Sequence, residues 1–197
     1  MSAVTSVLFT AGDLRAIDLG IDDLPALQRF FEANPQYFLD SSGEGPAPDE
    51  AVRELEDDPP PGMTFTRRWL VGFADDTGEL SAMANVSSDF LAPGIWHLGL
   101  FMVASSLHGT GAARTIYGAL EAWAREHGAR WMRLGVIVGN TRAERFWAKA
   151  GYIETRRRTG IPMGQHVHAL SVMCKPLAGG SSADYLALVE RDRPETP

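Results

Sequence analysis

In the middle of this 197-residue chain, an apolar run, a turn of small residues and a long amphipathic stretch follow one another. The apolar run is Ile95 to Val103, and apolar residues recur at helical spacing from Ala112 to His127. Between them, residues 108–113 read His-Gly-Thr-Gly-Ala-Ala. A strand, a turn and a helix start in this order place free backbone N–H groups at the positive end of the helix dipole, where phosphate binds readily. The order predicts an anion site, although glycines at such a junction can also be turn residues only.

Two common phosphate loops do not fit this turn. A P-loop requires Lys followed by Ser or Thr after its second glycine, and neither follows Gly111. The dinucleotide fingerprint requires a third glycine, which the spacing lacks. The ligand of the turn therefore has to be inferred from the surrounding residues.

The segment from Ile95 to Tyr152 resembles the GNAT superfamily of acyl-CoA-dependent N-acyltransferases. In that family, a strand ending in Val is followed five residues later by Arg or Gln and then by x-x-Gly-x-Gly/Ala. Here Val103 is followed at that distance by a turn made of His108, Gly109, Thr110, Gly111, Ala112 and Ala113. A second family motif is matched by Asn140, Ala143, Phe146, Trp147, Gly151 and Tyr152. The resemblance covers about sixty residues strongly and, by element order, most of Leu14 to Leu177.

The resemblance implies an α/β (α+β) fold in one domain, with a GNAT-type mixed, mostly antiparallel central sheet flanked by helices. Sequence patterns give the order β-α-α-β-β-β-α-β-α-β-β, with a first strand at Leu14 to Leu19 and Thr141 capping a late helix. We expect the domain to span residues 1–177. Residues 178–197 are expected to form a linker and a tail that is mobile or loosely docked.

The resemblance also implies acetyl-CoA as cosubstrate. Backbone N–H groups from His108 through Ala113 would hold its pyrophosphate. Phe101, Met102 and Val103 would pair with its pantetheine arm, and an N–H of Met102 or Val103 would polarise the thioester carbonyl. Asn140 matches the family residue that contacts the pantetheine arm, with a turn-forming Asn as the alternative.

Two residues depart from the family pattern. His108 replaces the usual Arg or Gln, and its imidazole is mostly uncharged at neutral pH. Arg145, or Arg114 and Arg142, would supply the missing charge unless they are ordinary surface residues. Trp147 occupies the position of a frequent family general acid, a Tyr that protonates the departing thiolate. An indole has no comparable acidic proton, so Trp147 is read mainly as a buried aromatic residue, and the thiolate would leave through water.

His97 is the candidate general base. It lies six residues before Val103, where histone-acetylating relatives of the superfamily carry a catalytic Glu, and strand parity places both on one face. Histidine titrates near neutral pH, although a hydrogen-bonded strand histidine is the alternative. His166 and His168 could form a metal pair, but no third ligand is evident, so no metal is expected. The single cysteine, Cys174, is read as a small core residue.

The net charge of −7 argues against nucleic acid as the main partner. Eight acidic residues and one basic residue, Arg53, lie in the segment 40–58, so this segment alone carries −7 and the remainder is neutral. In the implied fold, this acidic segment borders the acceptor groove. It would attract a cationic amine such as a polyamine, an aminoglycoside or a peptide N-terminus, unless it is only a solvated helix face.

The chain is therefore read as an N-acetyltransferase that transfers acetyl from acetyl-CoA to a small-molecule or peptide primary amine, by direct attack in a ternary complex. The alternative is a non-catalytic acyl-CoA-binding regulatory or sensing domain, which His108 and Trp147 motivate; a structural interaction module would bind no cofactor. No apolar stretch approaches the ~20 residues of a membrane span, so we expect a cytoplasmic protein without a membrane partner. A homodimer is compatible with the sequence.

Overall fold

The computed structural model describes residues 6–57 and 62–196. Its strands are β1 (Val7–Ala11), β2 (Leu14–Asp18), β3 (Arg67–Ala74), β4 (Leu80–Ser88), β5 (Ile95–Val103), β6 (Trp131–Ile137), β7 (Ile153–Met163) and β8 (His166–Pro176). Its helices are α1 (Leu24–Ala33), α2 (Gln36–Ser42), α3 (Glu50–Glu56), α4 (Ala112–Glu126), α5 (Thr141–Lys149) and α6 (Ser182–Leu188), with short 3-10 helices at Ile21–Asp23, Ser105–Leu107 and Glu190–Asp192. The strands form one sheet in the order β1-β2-β3-β4-β5-β6-β8-β7.

The sheet opens in its middle, between β5 and β6. These two neighbours are parallel, whereas the other neighbouring strands are antiparallel. Their pairing ends at Leu98 and Leu134. On the other side of β5, the register to β4 shifts between Asn85 and Val86, so Gly99 is an extra, bulged residue. A bulge bends its strand. The sheet is mixed and mostly antiparallel, as expected, and β5 and β6 separate beyond Leu98.

Helices cover both faces of the sheet. On one face, α4 buries the residues that helical spacing predicts, namely Ile116, Tyr117, Leu120, Trp123 and Ala124. On the other face, Leu27, Phe31 and Phe38 of α1 and α2 pack against Met83 and Met102 of the sheet. The gap between β5 and β6 interrupts the sheet between these two layers of helices. A ligand in the gap would therefore have access to both faces of the sheet.

The structure corrects three details of the predicted element order. The strand Val7–Ala11 was missed because five residues give little periodicity, and it pairs with β2. Helix α2 was also missed. Asn140, rather than Thr141, is the N-cap of α5, because its Oδ1 accepts from the N–H of Ala143 at 3.1 Å. Asp58, the last residue of the acidic segment, lies outside the described residues.

The C-terminal segment is packed against the sheet, so the expectation of a loosely docked tail is wrong. Tyr185 of α6 is fully buried and belongs to the same apolar cluster as Trp131. Asp192 is buried too, and it accepts from Nε and Nη2 of Arg133 at 2.7 and 2.9 Å. The hydroxyl of Tyr185 donates to the same carboxylate at 2.6 Å. Among the described residues, no helix is both long and apolar enough to cross a membrane.

Asp192→Ala is expected to lower the free energy of unfolding by about 3–5 kcal/mol, because Arg133 would stay buried without its partner. In a chain of this size, that corresponds to a fall in Tm of roughly 10 °C. The control is Glu190→Ala, which removes an exposed ion pair with Arg193 and should cost less than about 0.5 kcal/mol. Thermal and urea unfolding measure both variants, and equal stabilities would contradict the role of Asp192.

The same pair gives a pH dependence of stability. Burial alone would raise the pKa of Asp192, but hydrogen bonds and charge from Arg133 lower it below its usual range. A carboxyl with a lowered pKa stabilises the fold at pH values above its unfolded pKa, and that stability is lost as the pH falls through the lowered value. The difference between wild type and Asp192→Ala should therefore shrink in acid.

Candidate active site

The cleft between β5 and β6 is lined by backbone and side chains of both strands. Gly99 and Phe101 lie on one side and Gly135 and Ile137 on the other, and Trp147 of α5 closes one end. The cleft begins where the β5–β6 pairing ends. Backbone groups that point into it have no neighbouring strand to pair with, so an extended ligand could bind there.

Strand parity decides which backbone groups of β5 face the cleft. The N–H of Ala104 donates to the carbonyl of Ser81 at 2.9 Å, in register with the β4–β5 ladder. In an antiparallel ladder, every second residue bonds to the same neighbour. Met102 therefore pairs towards β4, and Phe101 and Val103 turn their N–H and C=O groups towards the cleft. Of the two predicted donors to a thioester carbonyl, the register favours Val103 over Met102.

The glycine turn leaves several N–H groups free at the start of α4. Gly109 and Gly111 have φ angles of 81° and 92°, which glycine adopts readily. A Cβ at either position would meet no atom within 4 Å, so the turn faces open space. The N–H groups of Gly109, Gly111 and Ala113 donate to no acceptor in the described part of the chain, whereas the N–H of Ala112 donates to Oγ1 of Thr110 at 3.2 Å. The predicted anion site is thus available, with fewer donors than the whole turn would give.

His108 joins the turn to an arginine. Its Nε2 donates to the carbonyl of Val103 at 3.0 Å, and its Nδ1 accepts from Nη1 of Arg142 at 2.8 Å. Arg142 and His108 line the same cleft as Gly109. Arg145 is exposed and lines none of the described clefts, so its role stays a prediction. The contact with His108 therefore places the positive charge of Arg142 next to the turn.

Trp147 is a buried aromatic residue at the edge of the cleft. It is 7 % exposed and lies edge-on to Tyr117 with ring centroids 5.0 Å apart. The hydroxyls of Tyr117 and Tyr152 are 2.8 Å apart and bond to each other. Burial raises the pKa of both phenols far above the ordinary value. Neither tyrosine is therefore placed to donate a proton to a thiolate in the cleft.

Tyr37 of α2 borders the cleft on the side opposite α4 and α5. It lines the cleft together with Gly99 and Trp147. It also lines the two larger cavities on the other face of the sheet. Tyr37 is therefore shared by the cleft and the cavities of the opposite face. Tyr37 was not among the predicted site residues, because the short helix α2 has no clear sequence pattern.

An acidic cavity of about 460 Å³ opens from Gly99 on the face covered by α2 and α3. We call it the acidic cavity because four carboxylates line it, those of Glu44, Glu50, Glu54 and Asp57. All four belong to the acidic segment 40–58, and Arg53 is the basic residue in the lining. Much of the acidic segment therefore faces a cavity that shares Gly99 with the cleft between β5 and β6.

Sequence comparison identifies the family. The profile described as "Acetyltransferase (GNAT) family" matches residues 27–152, which is most of the chain. The chain belongs to the GNAT acetyltransferase family. No curated protein matches it at a significant level.

Solved GNAT structures share the fold. An acetyltransferase from Thermus thermophilus is similar with a TM-score of 0.65 and 24% identity, over 87% of this chain and 100% of that one. The ribosomal-protein-S18-alanine N-acetyltransferase from Escherichia coli has a TM-score of 0.62 and 15% identity, over 84% of this chain and 95% of that one. Spermidine N-acetyltransferase from Vibrio cholerae, solved with CoA and spermine, has a TM-score of 0.63 and 15% identity, over 84% of this chain and 96% of that one. At these identities, the likeness concerns the fold.

Glu54, in the wall of the acidic cavity, is hydrogen-bonded to the side-chain amide of a buried residue, Asn85. Its Oε1 accepts from Nδ2 of Asn85 at 2.7 Å, and Asn85 is 8 % exposed. Burial raises the pKa of Glu54 to about 7, although the Asn85 bond lowers it. A Cβ on Gly99 would lie 3.8 Å from Cγ of Asn85. The charged groups around Glu54 are Glu44, Glu50, Arg53, Asp57 and Arg68, with the phenol of Tyr37 beside them.

His97 lies on the same face of the sheet as Glu54 and approaches Gly99 from a neighbouring cavity. His97 pairs with Ser87 and Val103 pairs with Ala82, so the bulge at Gly99 puts His97 and Val103 on opposite faces, and the expectation of a common face is wrong. A Cβ on Gly99 would lie 4.0 Å from Nε2 of His97. The ring stacks on Phe90 at 4.3 Å, and its Nδ1 lies 3.2 Å from the carbonyl of Arg133. Burial, and then the charge of Arg133, lower the pKa of His97 to about 3. The imidazole is neutral near pH 7 but binds a proton weakly, and its role as base stays a prediction.

The two histidines considered for a metal lie near each other. The rings of His166 and His168 are 5.5 Å apart, and Nε2 of His168 lies 2.7 Å from the carbonyl of Ser41. In residues 6–57 and 62–196, no group of three His, Cys, Asp or Glu is arranged to hold a metal ion. Cys174 is buried, and burial raises the pKa of its thiol to about 12.

Proposed function

We propose that this GNAT protein transfers an acetyl group from acetyl-CoA to a primary amine by direct attack in a ternary complex. The observation that carries the proposal is the opening between β5 and β6. It meets the glycine turn on one face of the sheet and the acidic cavity on the other, and Tyr37 borders both. A thioester from one face and an amine from the other would meet at Gly99.

The residues around the turn suit the CoA part of acetyl-CoA. Free N–H groups of Gly109, Gly111 and Ala113 at the start of a 15-residue helix would bind the pyrophosphate, and Arg142 adds a positive charge. Open space in front of the turn leaves room for it. The pantetheine arm would pair with the backbone of Phe101 and pass Asn140 in the cleft. The carbonyl of Val103 already accepts from His108, so the N–H of Val103 is the group that remains for the thioester.

In the reaction, the neutral amine nitrogen attacks the thioester carbonyl, a C–N bond forms, and the C–S bond breaks. The N–H of Val103 would stabilise the negative oxygen that develops. The amine loses one proton to a base, and the thiolate gains one. Trp147 has no acidic proton to give, and burial raises the pKa of the Tyr37 phenol as it does for Tyr117 and Tyr152, so water would protonate the thiolate.

Glu54 is the base that we favour. A base works best when its pKa lies near the working pH, and the pKa of Glu54 is about 7. Its partner Asn85 adjoins Gly99, where the amine would stand. His97 is equally near to Gly99, but its lowered pKa gives proton transfer a smaller driving force. His97 is thus the alternative base, and single variants of the two residues distinguish them.

The acceptor is proposed to be a small-molecule or peptide amine whose ammonium group enters the acidic cavity. Four carboxylates against Arg53 give this cavity an excess of negative charge, which attracts cations. A cytoplasmic location, a homodimer, and the absence of metal, nucleic acid and membrane from the reaction stay predictions.

The proposal is tested by release of free CoA thiol from acetyl-CoA with a panel of amines, from neutral to alkaline pH. Thermal shift with acetyl-CoA alone reports binding separately. We expect both stabilisation by acetyl-CoA and amine-dependent thiol release. Stabilisation without thiol release would favour the binding domain instead, and absence of both would favour an interaction module.

A further inference from the structure

A second cavity opens from Gly99 on the same face as the acidic cavity, beneath β6, β8 and β7, and it has a volume of about 490 Å³. Its floor is apolar, made by Ile137, Leu170 and Val172. The guanidinium groups of Arg158 and Arg191 lie in its wall. We call it the arginine cavity.

No Asp or Glu of the described residues lines this wall to balance its positive charge. Arg133 also lines the cavity, but it is paired with Asp192. Arg158 and Arg191 form no ion pair with a carboxylate of the described residues. The Nε of Arg191 is buried and has no hydrogen-bond partner there. Two arginines in one wall without a carboxylate partner leave guanidinium donors for an anion in the cavity.

A fourth arginine adds to the charge. Arg156 donates to the backbone carbonyls of Arg191 and Thr196 at 2.5 and 2.6 Å, so it holds the C-terminal segment against β7 without being neutralised. Burial, and then the charges of Arg191, Arg156 and Arg133, lower the pKa of Arg158. An anion between these groups would relieve their mutual repulsion.

We propose that the arginine cavity binds a carboxylate of the acceptor, so that the acceptor is an amine with a carboxylate at the far end of an apolar body. This inference rests on the proposed function and names its substrate class. The ammonium would stand on the acidic side of Gly99, and the apolar body would cover Leu170 and Val172. Arg158 and Arg191 would hold the carboxylate.

Sheet geometry sets the length of that body. Arg158 pairs with Leu170, and Leu170 pairs with Ile137, which places Arg158 three strands from β5 and Gly99. Three strand spacings, together with the two-residue offset between Gly135 and Ile137 along β6, amount to roughly 16 Å, and an arginine side chain reaches back over several Å of that. The amine and the carboxylate should therefore be about 10 Å apart. An α-amino acid is too short, and an ω-amino acid with several methylene groups fits.

The test compares acceptors of one length: an ω-amino acid, the alkylamine that lacks the carboxylate, and the diamine. We expect the highest kcat/KM for the amino acid and the lowest for the diamine, whose second ammonium would face the arginines. Arg158→Gln and Arg191→Gln should each lower kcat/KM for the amino acid roughly 10- to 100-fold and change the alkylamine less than about twofold. Arg157→Gln is the matched control, because Arg157 is exposed and paired with Glu154.

Each outcome decides the inference. If the wild type acetylates all three amines alike and neither arginine variant changes that, the arginine cavity does not select a carboxylate, and the proposed function stands. A preference for the diamine overturns the inference in the same way. If no amine is acetylated, the proposed function fails and the inference fails with it. An unchanged rate with the alkylamine shows that a variant is folded. Arg158 lies in β7 and Arg191 in the 3-10 helix Glu190–Asp192, so if one variant fails to fold, the other still tests the inference.

Discussion

Replacing Glu54 by glutamine is expected to lower kcat roughly 100- to 1,000-fold and to leave the affinity for acetyl-CoA unchanged. Glutamine has the same size and can still accept the hydrogen bond from Asn85, but it cannot take a proton from the amine. The loss should therefore appear in kcat at saturating acetyl-CoA. Steady-state rates and calorimetric titration with acetyl-CoA measure the two quantities.

The dependence of kcat on pH should also identify Glu54 as the base. In the wild type, kcat should fall as the pH drops below about 7, because Glu54 becomes protonated. This fall should be absent from the residual rate of Glu54→Gln. Burial makes the charged form of Glu54 costly in the folded state. The free energy of unfolding therefore falls as the pH rises from the pKa of the unfolded chain to the raised value of about 7, and it stays lower above that pH. Glu54→Gln should thus be more stable than the wild type above pH 7, by on the order of 1–3 kcal/mol.

Two variants make the result specific to Glu54. Glu56→Gln removes the same charge from an exposed position of α3 that lines none of the described cavities, and its kcat should stay within about twofold of the wild type. His97→Gln removes the alternative base. If His97→Gln abolishes the acid limb while Glu54→Gln keeps both the limb and the rate, His97 is the base and the assignment of Glu54 is wrong.

Gly111→Glu should weaken acetyl-CoA binding at least about 100-fold while the domain stays folded. A Cβ at Gly111 would point into open space, so the side chain can be accommodated, but its carboxylate would occupy the predicted pyrophosphate site. The free N–H groups of Gly109 and Ala113 would then face a fixed negative charge. Calorimetric titration measures the affinity, and circular dichroism reports the fold.

Gly111→Ala is the matched control for backbone strain. Both substitutions force a residue with a Cβ to adopt a φ of 92°, which costs about 1–2 kcal/mol. Only the glutamate adds charge and bulk. Gly111→Ala should thus lose stability and keep most of its affinity. Equal affinities of Gly111→Glu and the wild type would rule out the turn as the pyrophosphate site.

The half of the site that would bind CoA could be predicted from sequence because its parts are local. The strand, the turn and the helix start are contiguous, and spacing alone places Gly109 and Gly111 between them. Arg142 was not preferred over Arg145, because the choice depends on a contact with His108 across 34 residues. The parity of Met102 and Val103 likewise required the register of β4 against β5.

The half of the site that would bind the acceptor could not be predicted in this way. Glu54 and Asn85 are 31 residues apart and meet only because α3 packs beside β4. In the sequence, Glu54 is one acid among eight, and no local pattern sets it apart. Arg133 and Asp192 are separated by 59 residues, and a polar tail gives no sign of such a buried pair. Apolar periodicity does not encode polar contacts of this kind.

We propose that acetyl-CoA in the β5–β6 cleft gives its acetyl group directly to an amine on the opposite face. Intact-protein mass spectrometry with isotope-labelled acetyl-CoA, before and after addition of an amine, tests it most directly. We predict an unmodified protein at both times, with label appearing in the N-acetylated amine in a one-to-one ratio with released CoA. A labelled protein that discharges to the amine, or bound acetyl-CoA that labels no amine, would contradict the claim.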